Sequence, residues 1–401
     1  MHVLLASQFF PPEIGAAQNR LSTFVSGLLE RDHAVSVVCE QPNHPHGLFQ
    51  PGFGRRPLVV ERDGALTVRR VWVVTSPRKT WLRRLAFYGS YAAAAPPAML
   101  AMRRPDVAFI SSPPLPGAAT AAWTARALRL PLVVDIRDVW PAAIEALGEV
   151  GDRRVLRLFE RLERSLYASA DVVTTTTQAF CRHIDRVAGR PVSVQLPNGA
   201  MDHLLALPER PAGGDPVVTV GYAGNFGLSQ RLDLVLDAAA RLRDAPVRFV
   251  LVGEGPRGEA LREQRRRLAL DHVEIRGAVP PEQIGGVLQA CDVLLVPLLA
   301  HAALDDIIPT KIYDAMAVGR AVIASVRGEA AALVDDGGFG LVIAPENVDA
   351  IVAAVRELAA DRERIRRLGR NGRAAAGEFA RSRRVALLEE ILQGAVSARR
   401  R

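Results

Sequence analysis

The sequence predicts an α/β protein of two doubly wound domains, in which helices cover both faces of a mainly parallel sheet. Along most of the chain, short β-branched runs alternate with longer amphipathic stretches, and this alternation is typical of parallel strands joined by crossover helices. It stops once, at the turn sequence Pro197-Asn-Gly199 and the Pro- and Gly-rich stretch 207–216, and then restarts. A length of 401 residues suffices for two cores of ordinary size.

We predict a first domain at residues 1–205, a second at 206–385, and a final helix, 386–401, that packs back toward the first domain. The strands predicted for the first domain are Val3–Ala6, Ala34–Cys39, Val68–Val74, Val107–Ile110, Leu132–Asp135, Val172–Thr175 and Val192–Leu196. Its clearest helices, from the spacing of apolar residues, are Ala17–Glu30, Ala118–Leu128 and Arg153–Ala168.

The second domain shows the same alternation of strands and helices. Its predicted strands are Val217–Tyr222, Arg248–Val252, His272–Ile275, Val293–Val296 and Ala321–Ser325. Its predicted helices are Arg231–Leu242, Arg257–Leu268, Pro281–Gln289 and Thr310–Val318. In sheets of this kind, ligands bind at the carboxyl ends of the strands.

The composition, with 49% hydrophobic and 23% charged residues, is that of a globular protein. The three cysteines form no C-x-x-C pair, so we expect a reducing cytoplasm and neither disulfides nor a zinc site. We interpret the short apolar start as a buried strand rather than a signal peptide, and no apolar run is long enough to span a bilayer. The net charge is +8, and nearly all of the positive charge is arginine. We attribute this basic balance to codon bias and expect no nucleic-acid partner.

Residues 305–319 carry the sharpest pattern for chemistry. Pro309 and Thr310 are suited to open a helix, and the free N–H groups at such a helix start form an anion site. Lys311 lies in the first turn, where the positive end of the helix dipole makes a cation unfavourable. A bound phosphate would neutralise both the lysine and the dipole end. Asp314, one turn further on, can accept hydrogen bonds from sugar or ribose hydroxyls. The alternative is an ordinary capped helix with a surface lysine.

Two glycine-bearing loops follow predicted strands of the second domain. Gly224 and Gly227 follow the first of these strands, and Gly253 follows the second. In the first loop, glycine lets backbone N–H groups approach a diphosphate closely, and the second loop is a candidate wall of the nucleotide site. Neither loop is a Walker A sequence or a complete G-x-G-x-x-G motif, so simple βα-turn geometry is the alternative for both.

In the first domain, Gly15 lies in a loop between strand and helix and would let that loop close over phosphates. The segment Asp135-Ile-Arg-Asp-Val-Trp-Pro141 follows another strand end, and its Asp138 is a candidate to orient or deprotonate a hydroxyl. A salt-bridge cluster of Asp135, Arg137 and Asp138 is the structural alternative. We find no residue spacing typical of a metal site.

Residues 78–88 interleave basic and aromatic side chains ahead of an alanine-rich apolar stretch. This composition suits a helix that lies on an anionic membrane. The alternative is a helix that covers the sheet and buries Trp81, Leu85 and Tyr88. The two interpretations are compatible if the tip of the helix is exposed.

Taken together, the motifs resemble the retaining glycosyltransferases of family four, whose GT-B fold has two doubly wound Rossmann-like domains facing a central cleft. The resemblance covers nearly the whole chain. In the second half it rests on Gly221-Tyr-Ala-Gly-Asn225, Leu251-Val-Gly-Glu-Gly-Pro256, Gly277…Cys291-Asp-Val…Pro297, Asp314-Ala-Met-Ala-Val-Gly-Arg-Ala-Val-Ile323, Gly328-Glu and Gly340-Leu-Val. In the first half, three segments resemble the branch that builds O-antigen, capsule and related surface polysaccharides, often with N-acetylated amino sugars: Gln41-Pro-Asn-His-Pro-His-Gly47, Ser111-Ser-Pro-Pro-Leu115 and Asp135–Pro141.

The resemblance implies transfer of a glycosyl group from a nucleotide diphosphate sugar, with a UDP-sugar as the expected donor, to a hydroxyl acceptor. It implies a retained anomeric configuration, no metal and no other cofactor, with catalysis by positioning and by stabilisation of the departing diphosphate. It further implies a cytoplasmic enzyme, with peripheral contact at the inner face of the membrane as an option. A lipid-linked acceptor and a small natural-product acceptor both stay open.

The family carries two acidic residues spaced E-x7-E, and Asp314 matches the second, whose family role is to bind the donor ribose. Asp306, eight residues earlier, is the candidate for the first position and for contact with the donor sugar. The other residues expected to line the donor site are Gly15, Ala16, Gly224, Gly253, Pro309 and Thr310. Asp138 is the candidate on the acceptor side.

The sequence departs from the family at its usual pair of diphosphate-binding cations. Asn225 and Gln230 occupy those two positions and are expected to line the donor site. The nearest cations are Arg231 and Lys311, and we assign diphosphate stabilisation to them, with help from helix N-termini.

Two further classes of protein fit these features in part. A nucleotide-sugar 2-epimerase shares the GT-B fold, but it would bring more histidines and carboxylates to the sugar than this chain does. A catalytically silent subunit of a polysaccharide assembly complex is the second alternative, because the altered positions Asn225 and Gln230 are compatible with lost catalysis.

Overall fold

The computed structural model of the protein describes residues 1–13, 15–43, 47–75, 81–140, 152–209 and 215–400, without the side chains of residues 16, 81 and 400. The chain forms two compact units, and each is an α/β sandwich of the predicted class. The first unit comprises Met1–Pro197 together with Ser382–Arg401, and the second comprises Asn198–Arg381. The boundaries proposed from the sequence lie a few residues beyond these divisions.

The first unit contains an eight-stranded sheet in the order β3-β4-β2-β1-β5-β6-β7-β8. The strands are β1 His2–Ala6, β2 Ala34–Glu40, β3 Leu58–Asp63, β4 Leu66–Val71, β5 Val107–Ser112, β6 Leu132–Ile136, β7 Val172–Thr175 and β8 Ser193–Gln195. All neighbours pair in parallel except β3 and β4, which form an antiparallel hairpin. The central strands β1, β5 and β6 are almost wholly buried because helices cover both faces of a parallel sheet.

The helices of the first unit follow the strands that they connect. They are α1 Ala16–Leu29, α2 Trp81–Leu100, α3 Leu115–Ala127, α4 Arg153–Ser169 and α5 Gln178–Ala188. Asp152 is the N-cap residue of α4 and Thr177 that of α5. The side chain of each accepts a hydrogen bond from a backbone N–H of the first turn.

The second unit contains a six-stranded parallel sheet in the order β11-β10-β9-β12-β13-β14. The strands are β9 Val218–Ala223, β10 Val247–Val252, β11 Val273–Arg276, β12 Val293–Pro297, β13 Ala321–Ser325 and β14 Gly340–Ile343. The helices are α6 Asp202–Leu205, α7 Leu232–Ala240, α8 Gly258–Arg267, α9 Ile284–Gln289, α10 Ala302–Asp305, α11 Thr310–Ala317, α12 Gly328–Asp336, α13 Val348–Ala360 and α14 Arg362–Ala376. Short 3-10 turns occupy Leu228–Gln230, Pro281–Gln283 and Gly377–Phe379.

The last helix, α15 Arg381–Arg400, belongs with the first unit for nearly all of its length. Its apolar residues share a core cluster with those of α1 and the adjoining strands. The contact between the two helices is close, since a Cβ built on Gly27 of α1 would stand 2.6 Å from Val385 Cγ1. Glu389 Oε1 lies 2.7 Å from His33 Nε2 and its Oε2 lies 3.1 Å from Arg31 Nε.

The fold class predicted from the sequence is confirmed, and two edge strands are additions to it. The exposed hairpin strand β3 and the final strand β14 were not predicted as strands. Neither has the fully buried apolar run of a central strand: β3 ends in exposed residues and β14 is only half-buried. Edge strands are covered on fewer sides, so their hydrophobic signal is weaker.

Candidate active site

The order of strands in the second unit marks a switch point between β9 and β12, where the connections leave in opposite directions along the sheet. β9 pairs with β10 on one side and with β12 on the other. Ligands of doubly wound sheets bind at the carboxyl ends of the strands beside such a point. The Gly224 loop follows β9 directly, and β12 leads to the segment that opens α11. The two sharpest sequence segments therefore meet at the switch point.

Helix α11 begins at Thr310, with Pro309 as its N-cap residue and no side-chain cap. Its first-turn N–H groups thus have no side-chain acceptor from the cap residue, and such groups form an anion-binding site. Lys311 lies in this turn, and its Nζ is 5.3 Å from the centre of the Tyr222 ring. Burial lowers the pKa of Lys311, while the nearby Asp314 carboxylate opposes that shift.

Asp314 lies one turn further along α11, and its carboxylate accepts a backbone hydrogen bond through one of its two oxygens. Burial raises the pKa of Asp314 to about 6, against the charges of Arg381 and Lys311 and a backbone hydrogen bond from Met201. Its Oδ1 is buried and has no hydrogen-bond partner in the described part of the chain. A buried polar atom without a partner costs free energy, so Oδ1 is well placed to accept a hydrogen bond from a ligand hydroxyl.

The two glycine loops touch each other beside this helix. Gly224 has φ +144° and Gly253 has φ +153°, backbone conformations that favour glycine. A Cβ built on Gly253 would overlap the carbonyl oxygen of Gly224, and one built on Gly224 would stand 2.6 Å from Lys311 Nζ. Gly253 is therefore needed for the contact between the two loops, and Gly224 leaves room for the Lys311 side chain.

The two amides that replace the family's cations lie on the same loop. Asn225 reaches toward the neighbouring loop, since a Cβ built on Gly255 would stand 2.5 Å from Asn225 Oδ1. Gln230 Nε2 donates to Ser229 Oγ at 3.1 Å, whereas Gln230 Oε1 is buried without a hydrogen-bond partner among the residues described. Asn225 therefore lies against the neighbouring loop, and its contact with a donor stays a prediction. Gln230 retains an acceptor for a ligand donor group.

Arg231 is already engaged by two carboxylates. Its guanidinium forms salt bridges with Asp233, at 3.1 Å, and with Glu346. Its backbone is left-handed, with φ 41°, where the 3-10 turn ends and α7 begins. A diphosphate would have to compete with both carboxylates for Arg231, so the geometry favours Lys311 for the role that the sequence assigned to the pair.

Asp306 ends the short helix α10. It lies next to the start of α12, because a Cβ built on Gly328 would overlap the carbonyl oxygen of Asp305. The neighbouring Asp305 lies 3.8 Å from Arg327. These contacts fix the turn that carries Asp306, while its role at a donor sugar stays a prediction.

In the first unit, Gly15 is the N-cap residue of α1 and Ala16 is its first residue. A Cβ on Gly15 would collide with the side-chain amide of Gln18, one turn along the helix. The glycine therefore leaves room for the Gln18 side chain at the start of the helix. The predicted contact of these two residues with donor phosphates stays a prediction.

Asp135, Arg137 and Asp138, the predicted alternative cluster, interact electrostatically: burial lowers the pKa of Arg137, and the charges of Asp138 and Asp135 oppose that shift. Asp135 Oδ1 also accepts from Arg20 at 3.1 Å and from Thr174 Oγ1 at 2.9 Å. Burial raises the pKa of Asp138 against the opposing charge of Arg137, which suits a carboxylate that takes up a proton. Parts of the predicted segments lie outside the described residues, namely Ile14, 44–46, 78–80, Pro141, 210–214 and Arg401.

Two family models match the chain in sequence order. Residues 15–199 match the glycosyl transferase 4-like domain, and residues 217–361 match the model described as glycosyl transferases group 1. The chain belongs to the group 1 glycosyltransferases. The resemblance to this family and the GT-B fold is thus confirmed, while the retaining mechanism and the amino-sugar branch stay predictions.

Curated relatives align with this glycosyltransferase over most of their length. WcaI of Escherichia coli K12, named for colanic acid biosynthesis, is 27% identical over 382 residues, covering 89% of this chain and 92% of that protein. A GDP-mannose-dependent alpha-(1-6)-phosphatidylinositol monomannoside mannosyltransferase of Mycolicibacterium smegmatis is 28% identical over 411 residues, covering 99% of this chain and 100% of that protein.

Solved structures show the same fold. Sucrose-phosphate synthase from Thermosynechococcus elongatus has a TM-score of 0.75 at 18% identity and covers 99% of both chains. HepE of Anabaena, solved in complex with UDP-glucose, has a TM-score of 0.69 at 19% identity and covers 98% of this glycosyltransferase and 100% of HepE.

Sequence reasoning missed three groups that act on the candidate site. They are the Tyr222 ring beneath Lys311, the backbone N–H of Met201 and the side chain of Arg381. Tyr222 lies in the Gly221–Asn225 motif, but an aromatic ring within a strand is more often a core residue. Met201 and Arg381 are distant in sequence from Asp314. Within the described ranges, no helix of this glycosyltransferase is long and apolar enough to cross a bilayer.

Proposed function

We propose that this glycosyltransferase moves a sugar from a nucleotide diphosphate sugar to a hydroxyl acceptor, with retained anomeric configuration, in the synthesis of a surface polysaccharide or glycoconjugate. The observation that carries the proposal is that Lys311 and Asp314 lie one turn apart on α11. The first offers a cation at an uncapped helix start, and the second offers a buried carboxylate oxygen without a partner. A diphosphate followed by a ribose has the matching sequence of charge and hydroxyl groups.

In this proposal Lys311 and the first-turn N–H groups of α11 stabilise the negative charge that develops on the leaving diphosphate. Such preorganised groups act most strongly where water is excluded, and burial already lowers the pKa of Lys311. A bound diphosphate would reverse that shift, because an adjacent anion favours the ammonium form. The anion and the cation thus stabilise each other most when the glycosidic bond to the phosphate breaks.

Asp314 supplies donor binding rather than chemistry. Its Oδ1 would accept a hydrogen bond from a ribose hydroxyl while the backbone of Met201 holds the carboxylate in place. Gln230 Oε1, which is also buried without a hydrogen-bond partner among the described residues, would accept from a second donor group. Both contacts are compatible with any nucleoside diphosphate sugar, so the base and the sugar need direct measurement.

We propose a UDP-sugar as the donor, including N-acetylated amino sugars, and no requirement for a metal. HepE was solved with UDP-glucose, and the mycobacterial relative is named for GDP-mannose. The decisive measurement is therefore a panel of UDP-, GDP- and dTDP-sugars tested by thermal shift and calorimetry, with and without EDTA. Mass spectrometry with candidate acceptors then identifies the product, and NMR of its anomeric proton reports retention or inversion.

The same panel separates the two other classes of protein. An epimerase would convert the donor or release the nucleotide without an acceptor, whereas a transferase releases UDP only when acceptor is present. A catalytically silent subunit would show neither binding nor a thermal shift with any donor. Release of the nucleotide at equal rates with and without acceptor would contradict the proposed transfer.

We further propose that the acceptor is lipid-linked and that α2 meets an anionic membrane. Leu82 and Leu85 at the start of α2 are 63% and 40% exposed, beside the exposed Arg83. The nearby strand end is joined to α2 by a hydrogen bond from the Val74 N–H to Ser90 Oγ, and Trp72 there is 41% exposed. Exposed apolar side chains beside arginine are typical of interfacial helices, and the name of the mycobacterial relative includes phosphatidylinositol monomannoside, a lipid.

Flotation with vesicles tests the membrane contact. Wild-type protein is expected to float with vesicles that contain anionic phosphatidylglycerol and to stay behind with neutral phosphatidylcholine vesicles. Leu82→Ser with Leu85→Ser should abolish flotation. Leu100→Ser is the matched control, because Leu100 is 58% exposed at the other end of the same helix. Equal flotation of the double variant and wild type would contradict the proposed contact.

A further inference from the structure

Residues 199–201 pair with residues 379–381 beside α11, and we call them the paired segments. The N–H of Ala200 donates to the Phe379 carbonyl at 2.8 Å, and the Ala200 carbonyl accepts from the N–H of Arg381 at 3.1 Å. These two bonds form a short parallel bridge. The backbone of Arg381 is thereby fixed against the chain just before Met201.

The side chain of Arg381 is tied to the same segment. Its Nε donates to the carbonyl of Gly199 at 3.0 Å. Gly199 lies so close to the opposite segment that a Cβ on it would overlap the Phe379 carbonyl oxygen. The backbone bonds and the side-chain bond together leave the guanidinium little freedom to turn away.

The paired segments contact α11 at its acidic residue. The backbone of Met201 forms a hydrogen bond with Asp314, and the Phe379 ring packs on Tyr313 with centroids 5.3 Å apart. Arg381 is the charge that most strongly favours the ionised form of the buried Asp314, ahead of Lys311. One pair of segments thus supplies both a backbone donor and a cation to this carboxylate.

We infer that Arg381 is a positioning residue of the donor site, which acts on the nucleotide only by holding Asp314 ionised and oriented. This inference rests on the proposed function of Asp314 as the ribose ligand. A neutral carboxyl group can accept fewer hydrogen bonds than a carboxylate. A second cation is needed because Lys311 is assigned to the diphosphate and burial penalises the charge on Asp314.

The other charges near Asp314 do not replace Arg381. Lys311, which lies on the same helix as Asp314, is assigned to the diphosphate. Arg373 of α14 donates to the Ala317 carbonyl, at the far end of α11. On α6, the side chains of Asp202 and His203 are exposed, where solvent screens them.

The test is nucleotide-sugar binding by calorimetry between pH 5 and pH 9. The probes are UDP-glucose and GDP-mannose, whose diphosphate diesters do not titrate in this range. Wild-type affinity should fall as the pH drops through about 6, the value to which burial raises the pKa of Asp314. Removing the cation in Arg381→Met raises that pKa further, so the fall should begin at higher pH. Affinity should drop about threefold to tenfold at pH 7 and recover toward wild type at pH 9.

Two variants control for the charge and for the loss of an arginine. Arg381→Lys retains the cation and should keep a profile close to wild type. Arg383→Met removes an exposed arginine two residues away and should bind as wild type at every pH. A profile for Arg381→Met that matches wild type would overturn the inference. So would an equal loss of affinity at all pH values, which is the result expected from a merely structural role.

A double-mutant cycle separates this inference from the proposed function. Asp314→Asn should weaken binding and remove its pH dependence, and adding Arg381→Met should then have no further effect. An equal effect of Arg381→Met in both backgrounds would overturn the inference alone. If Asp314→Asn binds both probes as wild type does, the proposed role of Asp314 fails, and the inference fails with it.

Discussion

The ammonium group of Lys311 lies directly against Gly224, since a Cβ built on that glycine would stand 2.6 Å from Nζ. The same ammonium group is also 5.3 Å from the centre of the Tyr222 ring. Cations favour the faces of aromatic rings. The glycine loop and the strand before it therefore hold the cation at the carboxyl end of β9, where a diphosphate is expected.

Gly224→Ala tests this relationship. Its φ of +144° disfavours any residue with a Cβ, and the new methyl group would displace the Lys311 ammonium. We expect kcat/KM to fall at least about tenfold and the melting temperature to fall. Gly286→Ala is the matched control, because a Cβ at Gly286 of α9 meets no atom within 4 Å. Wild-type kinetics for Gly224→Ala would contradict the assigned position of the cation.

Lys311→Met and Arg231→Met test which cation stabilises the diphosphate. We expect Lys311→Met to lower kcat by about 10²–10³-fold, the usual loss when one charge-stabilising donor is removed. Arg231 is already bound by Asp233 and Glu346, so its loss should lower kcat much less and should mainly lower stability. Steady-state kinetics with the active donor, together with thermal unfolding, separate these effects. A larger loss of kcat in Arg231→Met would restore the role predicted from the sequence.

The contrast between Lys311 and Arg231 shows which features of the site can be predicted from the sequence. Lys311 follows a proline that opens a helix, and this local pattern sufficed to predict an anion site. The engagement of Arg231 depends on Glu346, more than a hundred positions away, and no local pattern contains that contact. Similarly, the closeness of Asp135 and Arg137 in sequence indicates a local interaction, whereas the salt bridge from strand β6 to Arg20 of α1 joins distant parts of the chain.

The fold was more predictable than the site for a related reason. Central strands such as β1 and β12 are buried on both faces, so their sequences are continuous apolar runs that identify them. A site residue is instead defined by which side chains converge, as Met201 and Arg381 do on Asp314. Such convergence follows from tertiary packing, which a single sequence without aligned homologues does not specify.

Asp314→Asn should separate stability from donor binding. The folded protein raises the pKa of Asp314 from its ordinary 3.8 to about 6, so it binds the proton more tightly than the unfolded chain. Ionised Asp314 therefore destabilises the fold above pH 6, and this penalty is relieved as the pH falls from 6 toward 4. We expect Asp314→Asn to raise the free energy of unfolding at pH 8 by about 1–3 kcal/mol while weakening nucleotide-sugar binding.

Thermal unfolding at pH 8 and at pH 5 measures this effect. The gain from Asp314→Asn should be smaller at pH 5, where the wild-type carboxyl group is mostly protonated in the folded state. Asp244→Asn is the control, because Asp244 is 70% exposed and pairs with Arg356 at the surface. A loss of stability at pH 8 in Asp314→Asn would show that the carboxylate contributes more to the fold than its burial costs.

The Arg20–Asp135 pair is expected to be the most costly ion pair to break in the first unit. Their side chains are 6% and 0% exposed, and Arg20 also donates to the carbonyls of Leu196 and Pro197 at 2.8 and 3.1 Å. Asp135→Asn removes the carboxylate that faces the buried Arg20 guanidinium, and breaking a buried ion pair typically costs about 3–5 kcal/mol. We expect thermal unfolding to occur several degrees lower than in wild type.

Arg20→Met completes the comparison. Combined with Asp135→Asn, it removes both charges, so the double variant should be more stable than the sum of the two single losses predicts. Additive losses would mean that the two side chains stabilise the unit independently. In that case the principal role of Arg20 would be to satisfy the carbonyls of residues 196 and 197, and that of Asp135 to bind Thr174. The sign of this coupling therefore decides whether charge or hydrogen bonding holds α1 to the end of the unit.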